Sequence, residues 1–274
     1  MNKVIFSFAL VIFGLTAFSQ KVNLVIPMGH AQKVNHIEVN FDYTHLGSVD
    51  DSNIIHIWDT KTKREIYQLK EHNAGIVNIE FHSAKNELIS SDREGVILVW
   101  DYVTSTVLKK IATPDGSVRI AYLNDGKHIV SAAQGKVKIW DAATGAMKKS
   151  VDIEGKITAL EVSKFNGQIA LGTQSGRLII LTENLEPIYT FSDISTPITT
   201  ISAFKDRDKL FVGREDGNVD LMNIDKQKLG QSNSVFKGSV GKILIDHKKN
   251  VLVLVGNDPN GFVKMIKTTY EDRM

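Results

Sequence analysis

The chain has 274 residues, of which 42% are apolar and 23% charged, enough for a soluble domain with a substantial core. Its 33 lysines and arginines against 31 aspartates and glutamates leave a net charge of +2, so composition gives no reason to expect nucleic acid as a partner. Cysteine is absent, which excludes disulfides and thiol oxidation and leaves stability to packing.

Taken in chain order, the N-terminus is the first segment to depart from this ordinary composition. Lys3 supplies a positive charge, Val4–Leu15 is an uncharged apolar run, and Ala17 and Ser19 put small residues where a signal peptidase cuts. Residues 1–19 read as a secretory signal peptide, with Gln20 first in the mature chain and a periplasmic or extracellular destination. A membrane anchor needs about 20 apolar residues, and this run is shorter. No later run is long enough either, so no transmembrane segment is expected after cleavage. Lys21–Pro27 (KVNLVIP) follows as an isolated alternating strand.

A repeat of about forty residues fills the rest, so residues 20–274 read as a single domain. Ser48–Asp59 (SVDDSNIIHIWD), Ser90–Asp101 (SSDREGVILVWD) and Ser131–Asp141 (SAAQGKVKIWD) each hold a strand with serine, a polar turn, and a second strand ending in Trp-Asp. Gln174–Thr182, Glu215–Asn223 and Pro259–Lys267 continue the pattern with Leu181, Met222 and Ile266 in the tryptophan slot. The slots at 58, 100, 140, 181, 222 and 266 keep intervals of 40 to 44 residues. A separate apolar pattern about twenty residues earlier, from Val34/Ile37/Val39 to Val240/Ile243/Ile245, keeps the same period. The repeats fall near 30–70, 71–112, 113–151, 152–191, 192–233 and 234–268, each with three clear short strands and a weaker fourth.

A small antiparallel sheet cannot cover both faces alone, so such units stack, and closure into a ring protects their edges. The expected fold is all-β: a six-bladed β-propeller of four-stranded antiparallel blades. Val22–Ile26 is expected to supply the outermost strand of the last blade and to close the ring.

The chain resembles the WD-repeat (WD40) β-propeller family, in degenerate form. The residues that carry the resemblance are Gly29-His30 with Trp58-Asp59, His72 with Trp100-Asp101, and Trp140-Asp141. The resemblance implies hydrogen-bonded tetrads of histidine, serine, acid and tryptophan. In the first repeat these would be His30, Ser48, Asp51 and Trp58, and in the second His72, Ser90, Glu94 and Trp100. Trp140 keeps only Ser131, because Gln134 stands at the acid position. It further implies that the loops leading into the innermost strands share one partner-facing rim, at Lys33, Gly75, Ser117, Lys156, Pro197 and Ser239.

No G-x-S-x-G elbow, H-E-x-x-H zinc motif or Gly-rich dinucleotide fingerprint is present, so no catalytic residue, cofactor or enzymatic activity is expected. The eight histidines do not cluster at ligand spacing along the chain, and no metal site is predicted; one would require convergence in the folded molecule. The face opposite the rim gathers Lys61, Lys63, Arg64, Lys85, Lys127, Lys164 and further basic residues among interspersed acids, which suits at most a weak contact with an anionic surface. The expected function is therefore a non-enzymatic protein–protein interaction scaffold in an exported compartment. The alternative is a small-ligand or hydrolytic site at the mouth of the central channel. Acids and histidines converging there would favour that alternative, whereas an apolar and hydroxyl lining would favour the scaffold.

Overall fold

A computed structural model describes residues 30, 32–204, 209–246, 251–258 and 263–267. The proposed signal peptide and the strand Val22–Ile26 lie outside these residues. The described chain is entirely β, in 21 strands. The first sheet holds β1 (Val34–Val39), β2 (His45–Asp50), β3 (Ile55–Asp59) and β4 (Arg64–Leu69), side by side in that order. The second holds β5 (Ile76–Phe81), β6 (Glu87–Asp92), β7 (Val96–Asp101) and β8 (Thr106–Ala112) in the same way.

The third sheet has six strands: β9 (Arg119–Tyr122), β10 (His128–Asp141), β11 (Met147–Val162), β12 (Ile169–Thr173), β13 (Leu178–Leu181) and β14 (Pro187–Phe191). The fourth returns to four, with β15 (Ile198–Ala203), β16 (Lys209–Arg214), β17 (Asn218–Asn223) and β18 (Lys228–Ser234). The last has β19 (Val240–Asp246), β20 (Val251–Gly256) and β21 (Val263–Lys267). All strand pairs are antiparallel.

This gives five blades rather than the expected six. The difference lies in β10 and β11, each of which bends sharply within its span: Ala142 N donates to the Lys127 carbonyl at 2.9 Å and Trp140 Nε1 to Ser131 Oγ at 2.8 Å, so the two arms of β10 lie side by side as the expected turn requires. Gln134 pairs with Lys156 and Lys136 with Asp152, so the bends themselves are bridged by pairing and the sheets of two repeats are joined into one. Gly135 and Gly155 supply the positive φ that lets the chain bend there without leaving the sheet. Two sequence repeats thereby share one sheet. Its halves fold toward each other around a core that sets Ala121, Val130 and Val137 against Ile157, Ile169 and Ile179.

Five of the six tryptophan slots occupy one register. Trp58, Trp100, Leu181, Met222 and Ile266 stand opposite Leu46, Leu88, Ile169, Leu210 and Leu252 on the neighbouring strand. Trp100, Leu181 and Met222 are fully buried, whereas Trp58 is half-buried and Ile266 exposed. Apolar clusters join successive sheets: Val49, Ile57 and Leu69 meet Ile79, Leu88 and Trp100, and further on Ile89 and Ile97 meet Ile120 and Ile129. Phe211 and Val219 meet Val240 and Leu254 in the same manner. The last sheet reaches the first through an ion pair, Lys242 Nζ to Glu38 Oε2 at 2.8 Å, between residues 204 positions apart.

Candidate functional site

The innermost strands β1, β5, β9, β11, β15 and β19 surround a cavity of about 340 Å³, to which Asn35, His36, Asn78, Arg119, Glu161 and Lys242 contribute. Five of these strands break register at the same place, between Val34 and His36, Ile76 and Asn78, Ile157 and Ala159, Ile198 and Thr200, and Val240 and Lys242. Such bulges re-aim side chains, here into the channel. Hydroxyls near the breaks are committed to structure: Thr158 Oγ1 donates to the Ile198 carbonyl at 2.6 Å, and Thr199 Oγ1 to that of Val240.

Charges in the channel are largely paired. Lys242 holds Glu38, and Lys164 Nζ donates to Glu80 Oε1 at 2.9 Å and to the Tyr122 carbonyl at 3.3 Å. Glu161 Oε1 accepts from the Ala203 amide at 3.2 Å, and burial outweighs that bond and nearby Lys242 to push its carboxyl up to about 7. Burial also raises Glu80, against the pull of Lys164. His36 lies well below its ordinary range because burial and the neighbouring Lys242 and Arg119 disfavour its cation. The channel therefore holds acids and a histidine together with hydroxyls that are already engaged. Its lining does not match either of the simple patterns that would separate an enzyme from a scaffold.

The tetrads form with one change of membership. In the first sheet His30 Nδ1 lies 2.6 Å from Asp50 Oδ2, His30 Nε2 lies 2.6 Å from Ser48 Oγ, and Trp58 Nε1 donates to Ser48 Oγ at 2.6 Å. In the second, the partners are His72, Asp92, Ser90 and Trp100, at 2.9, 2.6 and 2.8 Å. The acids are thus Asp50 and Asp92, not Asp51 and Glu94. Side chains alternate along a strand, so the residue two beyond the serine shares its face; Asp51 follows the end of β2 on the opposite parity, and Glu94 lies in the turn beyond the end of β6. Asp51 and Glu94 are exposed. Asp51 accepts only from Asn35 Nδ2 at 2.5 Å among these bonds, whereas Asp92 Oδ1 also accepts from the Glu94 and Val96 amides at 3.0 and 2.9 Å. Trp140 Nε1 donates to Ser131 Oγ at 2.8 Å, and Gln134 is exposed. The sequence signal for the true acids was available, as Ser-x-Asp at 48–50 and 90–92.

The first sheet holds one further group. His56, on β3, lies edge-on to His30 with ring centroids 4.2 Å apart, and its Nδ1 lies 3.1 Å from Glu65 Oε1 on β4. Burial works to raise Asp50, but hydrogen bonds from Ser52 and His30 prevail and hold its carboxyl below the ordinary range.

Four of the six rim residues share one backbone geometry. The carbonyls of Gly75, Lys156, Pro197 and Ser239 accept from the amides of Arg93, Gln174, Glu215 and Asn257 at 3.0, 2.9, 2.9 and 2.8 Å. Each tie spans 18 residues and fixes the start of an innermost strand to the turn that follows the second strand of its repeat. Lys33 and Ser117 precede β1 and β9; these two and Lys156 are exposed, while Gly75, Pro197 and Ser239 are half-buried. Of the basic residues expected opposite the rim, Lys61, Lys63, Arg64 and Lys127 are exposed. Lys164 is paired with Glu80, and Lys205, Arg207, Lys248 and Lys249 lie outside the described residues.

Antiparallel sheets stacked around a polar channel make the molecule a β-propeller. The family description "WD domain, G-beta repeat" matches residues 63–101 and 106–141. The WD repeat-containing protein SL1-17 of Schistosoma mansoni is 23% identical over 69% of this chain and 64% of its own length. The p21-activated protein kinase-interacting protein 1-like of Danio rerio is 26% identical over 88% of this chain and 65% of its own. The serine-threonine kinase receptor-associated protein of Gallus gallus is 25% identical over 79% and 61%. This chain spans less than two thirds of the length of each of these relatives. The matched repeats and these relatives support a WD-repeat family of β-propellers for the chain.

Proposed function

We propose that the protein is a non-enzymatic scaffold that presents one rim to another protein. The observation that carries this reading is the repeated 18-residue tie, which holds loop after loop at equivalent positions on a stiff support. The channel hydroxyls of Thr158 and Thr199 are bound to backbone, which speaks against their use as nucleophiles. Two relatives carry names that describe kinase-interacting and kinase receptor-associated proteins, which fits a partner-binding role without naming the partner here. Replacing Lys33, Ser117 and Lys156 together by glutamate tests it. In cross-linking, the proteins joined to the wild-type chain should be lost from this variant and kept by a charge reversal of Lys61, Lys63 and Arg64. The opposite pattern would place binding on the basic face and defeat the proposal.

The apolar run Val4–Leu15 with its small-residue site supports export of the scaffold to the periplasm or exterior. A mature chain from its native source that begins before Gln20 would overturn that. Val22–Ile26 is proposed as the outer strand beside β21, whose Val263, Met265 and Ile266 are exposed. On this reading residues 20–274 act as one domain, and deleting residues 21–27 should lower Tm sharply.

A further inference from the structure

The first and second sheets build the same tetrad, but only the first surrounds it with extra polar groups. Ser48 stands opposite His56, and Ser90 opposite Leu98; Trp58 stands opposite Glu65, and Trp100 opposite Val107. The tetrad of the second sheet is complete with leucine and valine in those places, so His56 and Glu65 are not required to make one.

Their geometry is specific. A carboxylate only accepts, so the 3.1 Å contact with Glu65 places the proton of neutral His56 on Nδ1. Its Nε2 then carries a lone pair, is buried without a hydrogen-bond partner, and faces Asp50 Oδ2 at 3.9 Å. His30 Nδ1 lies 2.6 Å from the same oxygen. The side chains of His30, Asp50 and His56 are only 10, 3 and 6% exposed. A lone pair aimed at a buried carboxylate is unfavourable unless a cation lies between them.

We propose that His30 Nδ1, Asp50 and His56 Nε2 form a three-ligand site for a divalent transition-metal ion, zinc in the first instance, with Glu65 orienting His56. The three ligand atoms already lie within 4.8 Å of one another. In a tetrahedral zinc site two such atoms lie about 3.3 Å apart, so the 2.6 Å pair would open and the 3.9 Å pair close, each by less than about 1 Å, and water would take the fourth position. Two imidazoles and a carboxylate suit zinc, nickel or copper rather than magnesium or calcium. The Glu65–His56 contact is the outer-shell carboxylate that ligating histidines commonly have. Giving Nδ1 to the metal leaves His30 Nε2–H to donate to Ser48 Oγ, which has lone pairs for both this bond and Trp58. The ion would replace the proton between His30 and Asp50 and pin the segment before β1 to β2 and β3. This inference is independent of the scaffold reading.

The test uses the full mature chain stripped with a chelator. Zinc should raise its Tm by several degrees and bind at about one ion per chain, while magnesium and calcium should do neither. His56→Leu, which copies the second sheet, should keep the Tm of the stripped protein and lose the zinc-dependent rise. Cobalt(II) added to the wild-type chain gives a readout that needs no variant, an intense visible band from a four-coordinate ion. A Tm unmoved by zinc, a rise that persists in His56→Leu, or cobalt that stays six-coordinate would each overturn the proposal. An imidazolium His56 bridging Asp50 and Glu65 would give the first and last of these results.

Discussion

Trp58 and Trp100 share a motif but not an environment. Trp100 is fully buried in the core between the first two sheets, so Trp100→Ala should cost about 3–5 kcal/mol. Trp58 is half-buried, and Trp58→Ala should cost clearly less; chemical denaturation of both variants measures the difference. Titratable residues act with opposite signs. His36 and His72 are held below the ordinary histidine range mainly by burial, in His72 against the pull of Asp92. As pH falls through 6.5 the unfolded chain takes up protons that these folded histidines refuse, and stability falls. Glu161 is raised to about 7, so its folded form keeps a proton that the unfolded carboxyl has lost, and stability declines as pH rises from about 4.5 to 7. Glu161→Gln should therefore raise Tm at pH 8 and leave it nearly unchanged at pH 5, in thermal scans at the two values. Which carboxylate joins a tetrad was misread because the turn was counted instead of the strand. Ser48 and Asp50, and likewise Ser90 and Asp92, are related by the two-residue period that any strand imposes.

At the scale of elements, the turn glycines are the most constrained positions. Gly217 has φ +82°, and a Cβ there would lie 2.0 Å from the Phe236 carbonyl oxygen; Gly176 meets the Ile194 carbonyl at 2.1 Å. Both sit in the turn between the second and third strands of a repeat, where the chain of the next strand passes close by. Gly217→Ala should destabilise by at least about 2 kcal/mol, read from urea unfolding. The strands themselves were legible because alternation and period reinforce each other, as in Ile79–Phe81 and Ile97–Val99. The blade count was not, because the Gln134-Gly135 turn is also bridged to β11. The pairing of Gln134 with Lys156, which joins two repeats into one sheet, has no mark in the local sequence. His56 and Glu65 were likewise invisible as a group, since neighbouring strands bring them together across nine residues and no sequence spacing marks the pair.

The first and last described sheets are joined by Lys242 and Glu38, and Lys164 and Glu80 are matched across sheets in the same way. A double-mutant cycle of Glu38→Gln and Lys242→Met should show a coupling of about 1–2 kcal/mol, since both groups are largely removed from water. Nothing in the local sequence marks this contact, which depends on bringing residues 204 positions apart face to face. The same closure gives the rim its meaning, because equivalent loops become neighbours only on a complete ring. The most direct test of the scaffold account is hydrogen–deuterium exchange of the chain with and without its captured partner. The account predicts added protection in peptides containing Lys33, Gly75, Ser117, Lys156, Pro197 and Ser239. Protection confined to the turns bearing Lys61, Lys63, Arg64 and Lys226 would contradict it.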